Sequence, residues 1–184
     1  MHEKKILVYV LFYFACSFYA GEVTFSFAKD FEGWGQWQAE GAVVKFFHDA
    51  ETGHSEAGSL SIILGPEAPL DKSVCFTKRL SVKIGGNYTA LVYVKGKNLE
   101  KTATISLAFQ GQDAKNKFLG TEVRSTRLSA EQCPEGEWVR MVYSIIVDGN
   151  DKWRQAEKLL CTIGVSKSSR GQLWFDDFCF FENK

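Results

Sequence analysis

The fold of this chain is decided by short alternating stretches, of which the plainest is residues 104–110, reading Thr-Ile-Ser-Leu-Ala-Phe-Gln. Successive side chains of a β-strand point to opposite faces of its sheet. The three bulky apolar side chains would therefore lie together on one face, with Ser106 and Gln110 on the other. This division predicts a strand that covers a hydrophobic core with one face and meets solvent with the other.

Segments of the same kind follow one another along the chain and are separated by turn residues. They occupy residues 59–64, 74–82, 88–94, 121–128, 138–147, 159–165 and 172–181. About ten strands separated by turn residues predict an all-β fold. The long loops between them favour an antiparallel β-sandwich of two sheets over a closed barrel. No linker or repeat divides residues 21–184, so we predict a single domain.

The first twenty residues have the features of an export signal. Lys4 and Lys5 precede an apolar run at residues 6–15, and small residues follow it. This is the pattern of a secretory signal, and the run is too short for a membrane-spanning helix, which needs roughly twenty residues. We therefore predict a signal peptide at residues 1–20 and a secreted, cell-surface or periplasmic protein.

The processing of this segment stays open. Cleavage fits after Ser17 or Ala20. Alternatively, the stretch Phe14-Ala15-Cys16-Ser17 resembles a degenerate bacterial lipobox and would make the protein a lipoprotein anchored through Cys16. A third interpretation, a buried first strand, is disfavoured because the apolar run does not alternate.

The charge balance argues against polyanionic partners. Without residues 1–20 the chain holds 20 Lys and Arg against 21 Asp and Glu. This balance provides no basic surface for nucleic acid or for an anionic membrane. We therefore predict a neutral partner. We also expect the protein to be monomeric.

Four cysteines follow the predicted signal, and their state also stays open. They are Cys75, Cys133, Cys161 and Cys179. An oxidising compartment would allow two disulfides in any of three pairings. The alternative is that the cysteines within apolar strands are simply small buried side chains.

Several landmarks occur in order along the chain. They are Phe27, the sequence Phe-Glu-Gly-Trp at residues 31–34, a Gly-containing loop at 48–58, Gly-Gly-Asn-Tyr at 85–88, Glu137-Trp138, and Trp-Phe-Asp-Asp-Phe at 174–178. Together they resemble the carbohydrate-binding modules of families four, nine and twenty-two, within the galactose-binding-like jelly rolls, over residues 22–182. The resemblance implies a jelly-roll sandwich that binds an oligo- or polysaccharide without cleaving it.

The same resemblance implies one structural calcium ion, a cation that prefers oxygen ligands. The positions that match its ligands are Asp49, carbonyl oxygens of the loop at residues 50–58, and Asp176. One position departs from the family pattern, because Ala28 follows Phe27 where an acidic residue is common.

The ligand site is expected on a sheet face that the core does not use. Neutral sugars stack on aromatic rings and pair their hydroxyls with amide and charged groups, so the site should combine such side chains. Alternation within the strands predicts Tyr93, Gln110 and Arg140 on this face. Trp153, in a polar stretch, and Trp37, between two glutamines, are the aromatic candidates for its wall.

No catalytic arrangement is evident, and we predict that the protein is not an enzyme. The adjacent Asp176 and Asp177 would point to opposite faces of a strand and so cannot form the facing carboxylate pair of a glycosidase. The main alternative to glycan binding is a cell-surface structural or protein-interaction sandwich with no sugar ligand.

Overall fold

The structure, a computed structural model, describes residues 22–65, 69–148, 152–168 and 170–184. The predicted signal peptide and Cys16 lie outside these residues. The described chain forms one short 3-10 helix at Ala130–Gln132 and otherwise strands. The strands are β1 (Val23–Phe25), β2 (Gly35–Gln38), β3 (Val44–Asp49), β4 (Ser59–Leu64), β5 (Ser73–Ser81), β6 (Asn87–Lys97), β7 (Thr104–Gln112), β8 (Arg124–Ser129), β9 (Trp138–Ile146), β10 (Lys158–Ser166) and β11 (Gly171–Glu182).

The strands form two antiparallel sheets that enclose one core. The six-stranded sheet has the order β3-β4-β11-β6-β9, and β1 pairs with the far end of β11. The five-stranded sheet has the order β2-β5-β10-β7-β8. This confirms the predicted all-β, two-sheet antiparallel sandwich. No helix in the described ranges has the length and apolarity that crossing a membrane requires.

The core is built from the inward half of each alternating strand. In β7 the side chains of Ile105, Leu107 and Phe109 are fully buried, as the alternation predicts. Val92 of β6 and Phe175 of β11 belong to the same core from the six-stranded sheet. Burying one such side chain contributes about 1.5 to 3 kcal/mol, so the shared core holds the two sheets together.

The prediction that Trp153 walls the ligand site is wrong, because its side chain is 0% exposed and belongs to the core. The indole packs against Gly111, where a Cβ atom would come within 3.0 Å of the ring. The Arg124 guanidinium lies 4.0 Å from the ring centroid. A hydrogen bond from the Ala156 N–H to the Trp153 carbonyl oxygen closes a turn that buries both residues. The polar neighbours of Trp153 in the sequence are exposed, and their polarity led to the prediction that Trp153 is exposed as well.

The four described cysteines form no disulfide bond with one another. Cys133 and Cys161 are buried, whereas Cys75 and Cys179 are partly buried. The structure therefore favours the interpretation of these cysteines as small side chains that pack within and around the core.

Candidate functional site

The outer face of the five-stranded sheet carries a cleft of about 610 Å³. Alternation in β5 explains part of its floor. Val74 and Phe76 are fully or almost fully buried, whereas Cys75, Thr77 and Arg79 point outward and line the cleft. One half of the strand thus builds the core while the other half remains available to a ligand.

Short side chains keep the middle of this floor low. Thr77 lies beside Thr162 of β10, which in turn lies beside Ala108 of β7. Gly164 of β10 lies beside Cys75. Because these side chains are short, the middle of the sheet lies below its edges and a ligand has room to lie across it.

Exposed aromatic and apolar side chains form the walls of the cleft. Trp37 of β2 is 51% exposed, and Phe118 and Val123, from the segment between β7 and β8, are 47% and 51% exposed. Large apolar side chains are usually buried, because exposing them to water is unfavourable. A group of exposed ones around a cleft is therefore typical of a binding surface.

The polar groups of the cleft are hydroxyls, amides and one guanidinium. Gln110 lies in the floor, and Nε of Arg79 donates a hydrogen bond of 3.2 Å to Oε1 of Gln112. Burial raises the pKa of the Cys75 thiol to about 12, so this thiol is uncharged at neutral pH. No Asp or Glu is among the described residues that line the cleft. The cleft can therefore exchange hydrogen bonds with a ligand, but it lacks the paired carboxylates of a glycosidase.

The five residues predicted for the ligand site do not form one site. Trp37 and Gln110 both line the cleft, whereas Tyr93 and Arg140 pair with each other in the six-stranded sheet, on its outer face. The prediction that joined them is wrong on this point. Alternation shows that a side chain leaves the core, but it does not show from which sheet.

A loop covers the ring of Tyr93. The imidazole of His54, from the segment between β3 and β4, stacks on this ring with the centroids 3.6 Å apart. Nδ1 of His54 lies 2.7 Å from Oδ2 of Asp177, which fastens the loop in place. One face of the Tyr93 ring is therefore occupied within the protein and is closed to a sugar.

The same loop brings a serine, a histidine and an aspartate together, but not as a nucleophilic triad. Oγ of Ser55 donates a hydrogen bond of 2.8 Å to Oδ1 of Asp177, and His54 bonds to the other oxygen of that carboxylate. In a triad the histidine bonds to the serine and removes its proton. Here Asp177 takes both bonds, so the cluster holds the loop instead of activating a nucleophile.

Asp49, one of the two side chains predicted to bind calcium, organises the loop that follows β3. Its Oδ1 accepts hydrogen bonds from the N–H groups of Glu51 and Thr52, and its Oδ2 accepts one of 2.7 Å from Nε1 of Trp174. Burial raises the pKa of Asp49, but these hydrogen bonds outweigh it and leave the pKa below its usual value. The carboxylate is therefore ionised and largely engaged within the protein.

Asp176, the second predicted calcium ligand, is fully buried on β11. Its Oδ2 accepts a hydrogen bond of 2.6 Å from the His54 N–H, and its Oδ1 accepts one of 2.7 Å from the Asp177 N–H. Burial is the main reason why the pKa of Asp176 rises to about 6. No three His, Cys, Asp or Glu side chains in the described chain lie close enough together to hold a metal ion. A cation beside Asp176 would thus depend largely on backbone carbonyl oxygens.

Sequence reasoning missed Thr77, Arg79 and Phe118 as residues of the cleft. A signal for the first two was present, because outward side chains alternate with Val74 and Phe76 in β5. Phe118 lies outside the strands, so no alternation could place it at the cleft.

Comparison with known proteins identifies the class of fold. No protein-family model and no curated protein matches the chain, but solved structures do. The CBM22-1 xylan-binding domain from Paenibacillus barcinonensis is 16% identical, with a TM-score of 0.57 over 88% of this chain and 94% of that one. A family 61 module in complex with β-1,4-galactotriose is 17% identical, with a TM-score of 0.52 over 84% of this chain and 91% of that one.

The same fold also occurs in a protein of another kind. The enzymatically active domain of tailspike protein 4 from bacteriophage CBA120 is 12% identical, with a TM-score of 0.57 over 83% of this chain and 20% of that one. At these identities the similarities establish the fold, the β-sandwich found in carbohydrate-binding modules. The function has to be argued from the cleft itself, because one fold can host several functions.

Proposed function

We propose that the protein binds a glycan, without cleaving it, in the cleft on the five-stranded sheet. The observation that carries this proposal is the position of Trp37, a half-exposed indole beside a floor of short, mostly polar side chains. A sugar ring can stack its C–H face on the indole while its hydroxyls reach the Gln110 amide. The similar structures support this class of ligand, since one is a xylan-binding domain and another holds β-1,4-galactotriose.

The dimensions of the cleft suit a short stretch of polysaccharide. Its volume of about 610 Å³ lies within the range of about 300 to 1,000 Å³ that small-molecule sites occupy. Phe118, on the opposite wall from Trp37, offers a second ring surface. We place this function outside the cytoplasm, in a protein that is exported through the segment at residues 1–20 or anchored by a lipid at Cys16.

Replacing Trp37 with alanine is expected to weaken glycan binding about tenfold or more. Aromatic stacking contributes on the order of 1 to 3 kcal/mol, by analogy with stacking on nucleic-acid bases. The melting temperature should stay nearly unchanged, because the side chain lies on the surface. A glycan array on the wild-type protein selects the ligand, and isothermal titration calorimetry then compares the variants.

Tyr93→Ala is the matched control for Trp37→Ala, because it removes an aromatic ring from the opposite sheet. Binding that is lost in Tyr93→Ala and kept in Trp37→Ala would move the ligand to the six-stranded sheet. A wild-type protein that binds no glycan on the array would instead support a structural or protein-interaction sandwich.

We also propose that a calcium ion stabilises the loop between β3 and β4. Asp176 is a buried carboxylate that pairs with no Lys or Arg of the described chain, and such a group suits a hard cation. The carbonyl oxygens of Glu56 and Gly58 crowd the position that a Cβ atom of Gly53 would take, so this loop is rich in oxygen atoms. Asp176 and loop carbonyl oxygens would hold the ion, and Asp49 would shape the loop beside it.

A further inference from the structure

The outer face of the five-stranded sheet is positively charged. Its charged side chains are Arg79 of β5, Arg127 of β8 and Lys158 of β10. No Asp or Glu points outward from the described residues of these five strands. The whole chain has no net charge at neutral pH. The positive charge on this face is therefore not evident from the net charge of the chain.

Arg79 is the charged side chain that lines the cleft. The hydrogen bond from its Nε to Oε1 of Gln112 orients the guanidinium, and Gln112 is itself only 1% exposed. A buried amide has little freedom to move, so this contact favours one orientation of the exposed guanidinium before a ligand arrives. Among the described residues no carboxylate forms an ion pair with Arg79, which leaves its two terminal nitrogens for a ligand.

Two further cations extend the positive face on either side of Arg79. Arg127 lies beside Ser106, a residue of the cleft floor. Lys158 lies beside Gln112, and its Nζ donates to the carbonyl oxygen of Ala114, which is uncharged. This contact therefore does not neutralise the charge of Lys158. Positively charged side chains thus lie near the cleft as well as in it.

The chemistry of the Arg79 guanidinium points to the ligand. Its two terminal nitrogens lie in one plane and match the two oxygens of a carboxylate, and such charge-assisted pairs are about twice as strong as neutral hydrogen bonds. A neutral hydroxyl would use only part of this donor set. We propose that the cleft selects a glycan that carries carboxylates, a polysaccharide containing uronic acids, and that Arg79 determines this specificity. The inference rests on the proposed function, and it replaces the neutral ligand that the net charge predicts.

The test compares each acidic glycan with a neutral form of the same backbone. Oligosaccharides from homogalacturonan, glucuronoxylan and alginate are titrated into the purified protein beside their carboxyl-reduced counterparts. At least one acidic form is expected to bind about tenfold or more tightly than its reduced form, the effect of one hydrogen bond to a charged group. This difference should shrink at high salt, because salt screens an exposed ion pair.

Variants then locate the source of the preference. Arg79→Gln is expected to weaken binding of the acidic form about tenfold more than binding of the reduced form, so that the preference is lost. Arg79→Lys keeps the charge but loses the planar pair of donors, so it should retain only part of the preference. Arg140→Gln, which removes an exposed arginine from the opposite sheet, is the matched control and should behave like the wild type.

Each contrary result has a distinct meaning. Equal affinity for acidic and reduced forms, or a preference that survives in Arg79→Gln, overturns the inference and leaves glycan binding in place. Tight binding of a sulfated galactan that contains no uronic acid, with no binding of the three uronic-acid glycans, also overturns it, because the site would then select sulfate. Failure to bind any glycan, acidic or neutral, overturns both the inference and the proposed function.

Discussion

Replacing Trp153 with alanine is expected to destabilise the protein by about 3 to 5 kcal/mol, the range for removing a large aromatic side chain from a core. The indole is fully buried against Gly111 and carries the Arg124 guanidinium on its ring. Its removal would leave a cavity and take the aromatic partner from Arg124. Urea titration followed by circular dichroism measures the free energy of unfolding directly.

Trp37→Ala provides the control, since it deletes the same kind of side chain from the surface. The free energy of unfolding should then change by less than about 0.5 kcal/mol. Glycan affinity is expected to show the reverse order of effects. Trp37→Ala should lose affinity, whereas folded Trp153→Ala should keep it. A Trp153→Ala variant with wild-type stability and lost affinity would return this residue to the ligand site.

Raising the pH from about 4 to about 7 in the presence of a chelator is expected to cost about 2 kcal/mol of folding free energy through Asp176 alone. Burial raises the pKa of this carboxyl from 3.8 to about 6 in the folded protein. Over this range the folded state keeps a proton that the unfolded chain has released. The contribution to stability is therefore complete below pH 3.8 and is lost as the pH rises through about 6.

Asp176→Asn isolates this contribution, because asparagine cannot ionise. The rest of the chain is the same in both proteins, so comparing them subtracts the pH dependence that it contributes. The difference between the two free energies of unfolding should change by about 2 kcal/mol across the same pH range. A difference that does not vary with pH would contradict a raised pKa for Asp176.

Calcium should oppose the pH effect, because a cation favours the ionised carboxylate. Adding calcium at neutral pH is expected to raise the melting temperature of the wild type, and to raise that of Asp176→Asn by less. Magnesium, which demands a stricter geometry, serves as the control ion. No response to either calcium or chelator would remove the calcium proposal and leave the pH prediction intact.

The architecture was predictable because a core between two sheets imposes a period of two on every strand. The apolar side chains of β7 and β9 show that period clearly, and the sandwich follows from it. The ligand site was harder, since alternation is a local property. It separates Gln110 and Tyr93 from the core in the same way, but their strands join different sheets. That difference arises from the pairing of β7 with β10 and of β6 with β11, segments far apart in the chain.

Alternation gives no information about residues in loops. Trp153 and Phe118 both lie outside the strands, yet the first is buried and the second is exposed at the cleft. Which of the two outcomes a loop aromatic takes depends on the strand beneath it. For Trp153 that contact is Gly111, whose missing side chain leaves room for an indole.

β11 has a consequence for the order in which this protein folds. It lies inside the six-stranded sheet, where it pairs with β4, β6 and β1. It is also the last strand of the sandwich, and Val23 of β1 pairs with Phe180 at its far end. During synthesis from the amino terminus, β4 and β6 are made before β11. Each of them therefore has one edge without a hydrogen-bonded neighbour until residues 171–182 have been made. Closing contacts of such long range is slow, so we expect the six-stranded sheet to be completed only once β11 is available.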